Sequence, residues 1–121
     1  MSDDKRYNGW SSYETWNVKL WIDNDPGSYD YWREQTRECW EHSVQNQFID
    51  SHRSRATIAL ADCLESEFED QAQDILDAAH VSTSMWSDLL YATLSEVDWR
   101  EIAEAMIEDA ELTEDETEVA R

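Results

Sequence analysis

The sequence predicts a mainly α-helical fold: one domain, a bundle of about five helices around an aromatic-rich core, with room for one short strand near residues 6–10 or 80–84. Three observations lead there. Two Gly and one Pro in 121 residues are too few turn signals for an all-β chain. Apolar residues recur at three- and four-residue steps in separate stretches, the period of helices with one buried face. Leu, Ile, Val and Phe number only 21, a share that with high net charge usually marks a disordered chain. Seven Trp and five Tyr restore the apolar area, because each buried ring of this kind withdraws roughly 150–250 Å² from water.

Residues 1–9 read as an extended arm. Ser11 to Glu14 has the capping-box pattern, with Ser11 as N-cap and Glu14 three residues on. Tyr13, Trp16 and Leu20 then share one helical face, and Pro26 with Gly27 ends the helix near residues 23–27. A second helix is predicted over about residues 28–46, with Tyr29, Trp32, Thr36 and Trp40 on its buried face. Residues 46–54 form a linker that tucks Phe48 and Ile49 onto the core. A third helix is predicted over about residues 54–79, with Leu60, Leu64, Phe68 and Ile75 in one stripe. Residues 80–84 read as a loop, and Met85, Trp86, Leu89, Leu90 and Leu94 define a fourth helix. The fifth has the clearest start. Asp98 to Glu101 is another capping box, Val97 can staple onto Ile102, and Ile102, Ala103, Met106 and Ile107 form the apolar face. The predicted domain spans residues 1–110, and residues 111–121 form an acidic flexible tail.

Charge is the most informative feature. The formal net charge is −20, and it is not evenly spread. Residues 1–60 hold ten acids and seven bases, residues 61–121 nineteen acids and two bases. Between Ala56 and Val119 the only base is Arg100. On a helix, Asp62, Glu65, Glu67, Glu69, Asp70, Asp74 and Asp77 cover the arc opposite the apolar stripe. At 1.5 Å rise per residue this is about one negative charge per 3.4 Å, the axial charge density of one DNA strand. Glu101, Glu104, Glu108 and Glu111 repeat the design on the fifth helix. A salt-adapted surface is the competing explanation, and two Lys against seven Arg would suit it. Salt adaptation, however, should acidify the whole surface rather than one half.

The charge also excludes function classes. A field this negative repels DNA, RNA and anionic lipid, so neither direct nucleic-acid binding nor membrane association is expected. No apolar run approaches the ~20 residues that span a bilayer, and residues 1–10 lack a signal-peptide stretch, so a cytoplasmic protein is expected. Cys39 and Cys63 are expected to be free thiols in a reducing cytosol. Asp23, Asn24, Asp25 and Glu34 echo a calcium loop, but Pro26 and Gly27 fall at the wrong positions. Cys39 and His42 make one closely spaced pair where a zinc site wants two. There is no Gly-rich phosphate loop, GxSxG or HExxH. No metal, no cofactor and no catalytic residue are expected, and the protein is read as a non-enzyme.

Tyr7-Asn8-Gly9-Trp10, then Tyr13-Glu14-Thr15-Trp16-Asn17, and the C-terminal Ser95-Glu96-Val97-Asp98-Trp99-Arg100-Glu101-Ile102 carry a resemblance. They resemble a family of small acidic proteins of phages, plasmids and archaeal mobile elements. The resemblance implies a mobile-element setting and carries no catalytic residues. In size and charge the chain is also similar in type to anti-restriction and anti-CRISPR proteins that mimic DNA. The expected function is therefore anti-defence. The protein would inhibit a host CRISPR effector or restriction nuclease, in the host cytoplasm, by occupying the basic cleft of a nucleic-acid-binding partner. Asp62, Glu65, Glu69, Asp70, Asp74, Asp77, Glu101, Glu104 and Glu108 would stand in for phosphates. The alternative is a protein-binding adaptor that uses N-terminal aromatics, Trp10 being the candidate anchor, with acidity serving solubility.

Overall fold

The computed structural model describes residues 7–43 and 51–112. Its first element is a tight turn. Tyr7 and Trp10 exchange both backbone hydrogen bonds, at 3.2 and 2.9 Å. Asn8 and Gly9 between them have φ of 54° and 94°, the pair of positive values that a type I′ turn requires and Asn-Gly supplies.

Five helices follow in order, α1 (Tyr13–Asn24), α2 (Pro26–His42), α3 (His52–Ala78), α4 (Met85–Leu94) and α5 (Trp99–Asp109). The fold is mainly α and forms one domain, with α3 packed against α2, α4 and α5, and α1 against α2 and α5. Ser12 rather than Ser11 caps α1, accepting from the Thr15 amide at 3.1 Å. The shift has a distant cause: Ser11 gives its N–H and hydroxyl to Glu101 of α5, at 3.3 and 2.7 Å. Thr15, Lys19 and Ile22 are the buried residues of α1, and Tyr13 is exposed. The expected Tyr13–Trp16–Leu20 face is thus rotated away from the core, with Trp16 and Leu20 half-buried.

Asp25 ends α1 and also caps α2, accepting from the Ser28 amide at 3.2 Å with Pro26 in the first turn. The second helix therefore starts two residues before the predicted position, because Pro is pre-set for a first turn and needs no N–H there. Trp32, Thr36 and Trp40 are buried as expected, while Tyr29 is exposed. The predicted linker, with Phe48 and Ile49, lies mostly outside the described residues. Ser51 caps α3, which runs 27 residues without a break. Its buried line passes through Ala56, Leu60 and Leu64, then shifts to Ala72 and Leu76 where α4 packs. That shift leaves Ile75, expected in the stripe, 63% exposed.

Ser84 and Ser87 cap α4 reciprocally. Of the residues that define this helix in the sequence, Met85, Trp86 and Leu89 face outward and Leu90 and Leu94 are half-buried; the buried residue of the helix is Ser87. Asp98 caps α5 by accepting from the Glu101 amide at 3.1 Å; Ile102, Ala103, Met106 and Ile107 are buried as expected, and Trp99 is buried with them. The centre of the core is a three-ring stack across three helices. Trp32 lies on Phe68 at 5.9 Å and Phe68 on Trp99 at 5.7 Å, with ring planes within 18° and 15°. Leu60, Leu64, Ile102 and Ile107 fill the space around the stack completely buried.

Helices α3 and α5 end alike. His80 and Glu111 adopt left-handed φ of 61° and 59°. The next residues, Val81 and Leu112, return their amides to the carbonyls of Leu76 and Ile107, the Schellman arrangement. Leu112, assigned to the tail in the sequence, packs against the core. The remainder of that tail, residues 113–121, lies outside the described residues.

Candidate anionic face

The acid row on α3 follows from the packing just described. Burying Leu60 and Leu64 on one side turns Asp62, Glu65, Glu69, Asp70, Asp74 and Asp77 outward, and all six are exposed. Fifteen helical steps from Asp62 to Asp77 make the row about 23 Å long. Glu104 and Glu108 are exposed on α5. Among the described residues, no Lys or Arg lies within ion-pair distance of these carboxylates; the ion pairs present join Lys19 to Asp23 and Asp109, at 2.7 and 3.7 Å. A shallow groove of about 600 Å³ runs between α3 and the start of α5, lined by Asp62, Glu65, Glu96, Asp98 and Arg100 among others.

Two of the nine sequence-predicted acids have structural work. Glu101 is half-buried and clasps Ser11. Asp77 accepts from the Ser82 hydroxyl and from Gln73 at 2.8 Å, so it braces the turn between α3 and α4. Those donors, Ser82 first and Gln73 second, hold its carboxyl below the usual carboxylate range. Glu67, on the edge of the row, accepts from the Tyr31 hydroxyl. That hydrogen bond, with burial and the carboxylate's charge adding to it, pushes the Tyr31 phenol up to about 12.

The two motifs that carry the sequence resemblance meet here as one structural unit. The Thr15 hydroxyl, fully buried, accepts from the Asp98 amide at 2.8 Å. Ser12 donates to the Glu96 carbonyl at 3.2 Å, and Ser11 binds Glu101. The second half of the expected capping box is therefore redirected: the Asp98 N–H goes to Thr15 and the Glu101 carboxylate to Ser11.

The expected aromatic anchor is also relocated. Trp10 is half-buried against the core, with the Lys19 ammonium 6.0 Å from its ring centre. Trp21, 65% exposed, and Trp86, 59% exposed, are the open indoles. Trp21 lines a second groove of about 530 Å³ with Val18, Ile22 and Phe68. Sequence reasoning missed Lys19, whose signal was a lone base spaced four from Thr15 and three from Ile22 on the buried face.

The minor metal constellations are spent elsewhere. Asp25 caps α2, Asp23 pairs with Lys19, and the His42 ring bonds the Glu38 carbonyl at 2.9 Å. Among the described residues no group of three or more His, Cys, Asp or Glu is placed to hold a metal ion. None of the described helices is long and apolar enough to cross a membrane.

No curated protein and no solved structure matches the chain. A family model matches residues 3–119, and the chain belongs to that family, DUF7249, a family of unknown function.

Proposed function

We propose that this protein is an anti-defence inhibitor that mimics DNA, acting by binding rather than catalysis. Its α3–α5 acids would enter the basic cleft of a host CRISPR effector or restriction nuclease in the host cytoplasm and meet the Lys and Arg side chains that hold phosphates. The observation that carries this reading is the exposed row on α3, without an ion-pair partner among the described residues, in a half-chain with nineteen acids and two bases. Like charges at i, i+4 each cost a helix about 0.2–0.5 kcal/mol. The row therefore opposes folding, and a dedicated basic partner gives a reason to keep it. Glu65, Glu69, Asp70, Asp74, Glu104 and Glu108 are the phosphate surrogates of this reading. Asp62 joins them through the groove, while Asp77 and Glu101 mainly support the frame.

A second reading rests on a different observation. Tyr7, Tyr13, Trp21, Tyr29 and Tyr31 all remain exposed on the first two helices and the turn before them. Such a surface suits a protein-binding adaptor, with Trp21 rather than Trp10 as anchor. Capture from a host lysate separates the two. A DNA mimic should retain a nucleic-acid-binding protein that duplex DNA or ~0.5 M salt releases, since screening then acts within a few Å. Capture of a partner indifferent to both DNA and salt contradicts mimicry and favours the adaptor.

A further inference from the structure

The only two cysteines of the chain, Cys39 and Cys63, sit half-buried on the neighbouring helices α2 and α3. The antiparallel register of α2 and α3 brings them near each other. Tyr31 touches Glu67, Trp32 stacks on Phe68, and Arg55 reaches the Ser43 carbonyl at 2.7 Å. Between these contacts the same register places Cys63 within about one helical turn of the level of Cys39, and both side chains pack half-buried on the same core. Cys39 and Cys63 lie close enough to act on each other electrostatically.

We propose that Cys39 and Cys63 form a dithiol site that a peroxide oxidises to an intramolecular disulfide, locking α2 to the acid-bearing α3. Burial first, and the adjacent Cys63 sulfur second, push the Cys39 thiol well above its ordinary value, so Cys39 stays protonated at neutral pH. Cys63 makes the first attack, after giving its proton to solvent. Its sulfur takes one oxygen of hydrogen peroxide as the O–O bond breaks, giving a sulfenic acid and hydroxide. The Cys39 sulfur then attacks the sulfenic sulfur, the S–S bond forms, and water leaves with the Cys39 proton. Two thiols and one peroxide give one disulfide and two waters, with both electrons coming from sulfur. The half-buried setting leaves the pair reachable by a small oxidant and shields it from cross-linking to a second chain.

The test uses the full chain, reduced and then treated with hydrogen peroxide. The expected product is a monomer that has lost two hydrogen masses and takes up no iodoacetamide at either cysteine. It should melt several degrees higher, because the bond shortens the loop the unfolded chain can explore, and dithiothreitol should reverse all three changes. Two thiols that remain alkylatable, or disulfides found only between chains, overturn the proposal.

Discussion

Thr15 is completely buried, and its hydroxyl is the acceptor for the Asp98 amide that opens α5. Thr15→Val keeps the shape and removes the acceptor, leaving the Asp98 N–H unpaired. The expected loss is about 1 kcal/mol by urea denaturation, the net worth of one hydrogen bond. Glu104→Gln, on the exposed side of α5, should stay within about 0.5 kcal/mol of the parent. His80 and Glu111 give the opposite sign. Each holds a left-handed φ without being glycine, a conformation that costs an L residue roughly 1–2 kcal/mol. His80→Gly should therefore raise the midpoint of unfolding, and a fall would mean that the imidazole makes a contact worth more than the strain. Asp77 can be followed by carboxyl NMR. Its Ser82 and Gln73 donors depress its titration, so its stabilising share is present above the unfolded carboxylate value and lost as pH falls through the folded one. Its midpoint should lie below the ordinary carboxylate value; an ordinary midpoint would remove the brace between α3 and α4. None of these residue roles was legible locally. Ser11 and Glu101 both fit capping boxes in the sequence, yet each is the other's partner across the fold, so the cap of α1 slips by one residue.

Helix α5 was legible because its cap, staple and apolar face all lie within eleven residues of one another and agree. Helix α3 was legible as a helix and as an acid row, but its buried line was not. α4 packs on its C-terminal half, so burial moves to Ala72 and Leu76 while Ile75 stays in water. The apolar residues of α4 announced a helix correctly but not which of them face outward, as Met85, Trp86 and Leu89 do. The charges on α3 and α5 also carry an energetic signature. Neither helix has a base in its last turn, where a cation would favour the negative end of the helix dipole. Asp70→Lys should accordingly stabilise the protein. The new ammonium would sit three residues after Glu67 and four before Asp74, and each such pair adds about 0.2–0.5 kcal/mol. An unchanged or lower midpoint would mean that the row does not strain the helix.

At the scale of the whole molecule, twenty excess negative charges oppose the compact state. The Trp32–Phe68–Trp99 stack, with four fully buried aliphatic side chains around it, is the counterweight. The chain should melt cooperatively in ordinary buffer and gain a few degrees as added salt screens the repulsion. A chain that folds only in molar potassium chloride would instead fit salt adaptation. The uneven charge was fully legible, because counting acids and bases along the sequence needs no fold. The use of that charge was not, because Asp77 and Glu101 look like their neighbours until their hydrogen-bond donors are in place. One measurement bears most directly on mimicry: competition between this protein and duplex DNA for the captured partner, using the parent and a variant with Glu65, Glu69, Asp70 and Asp74 all changed to Lys. Those four side chains face solvent, so the variant should fold. The account predicts that the parent displaces DNA with a steep salt dependence and that the variant does not bind. A folded variant that captures the same partner with unchanged affinity contradicts it.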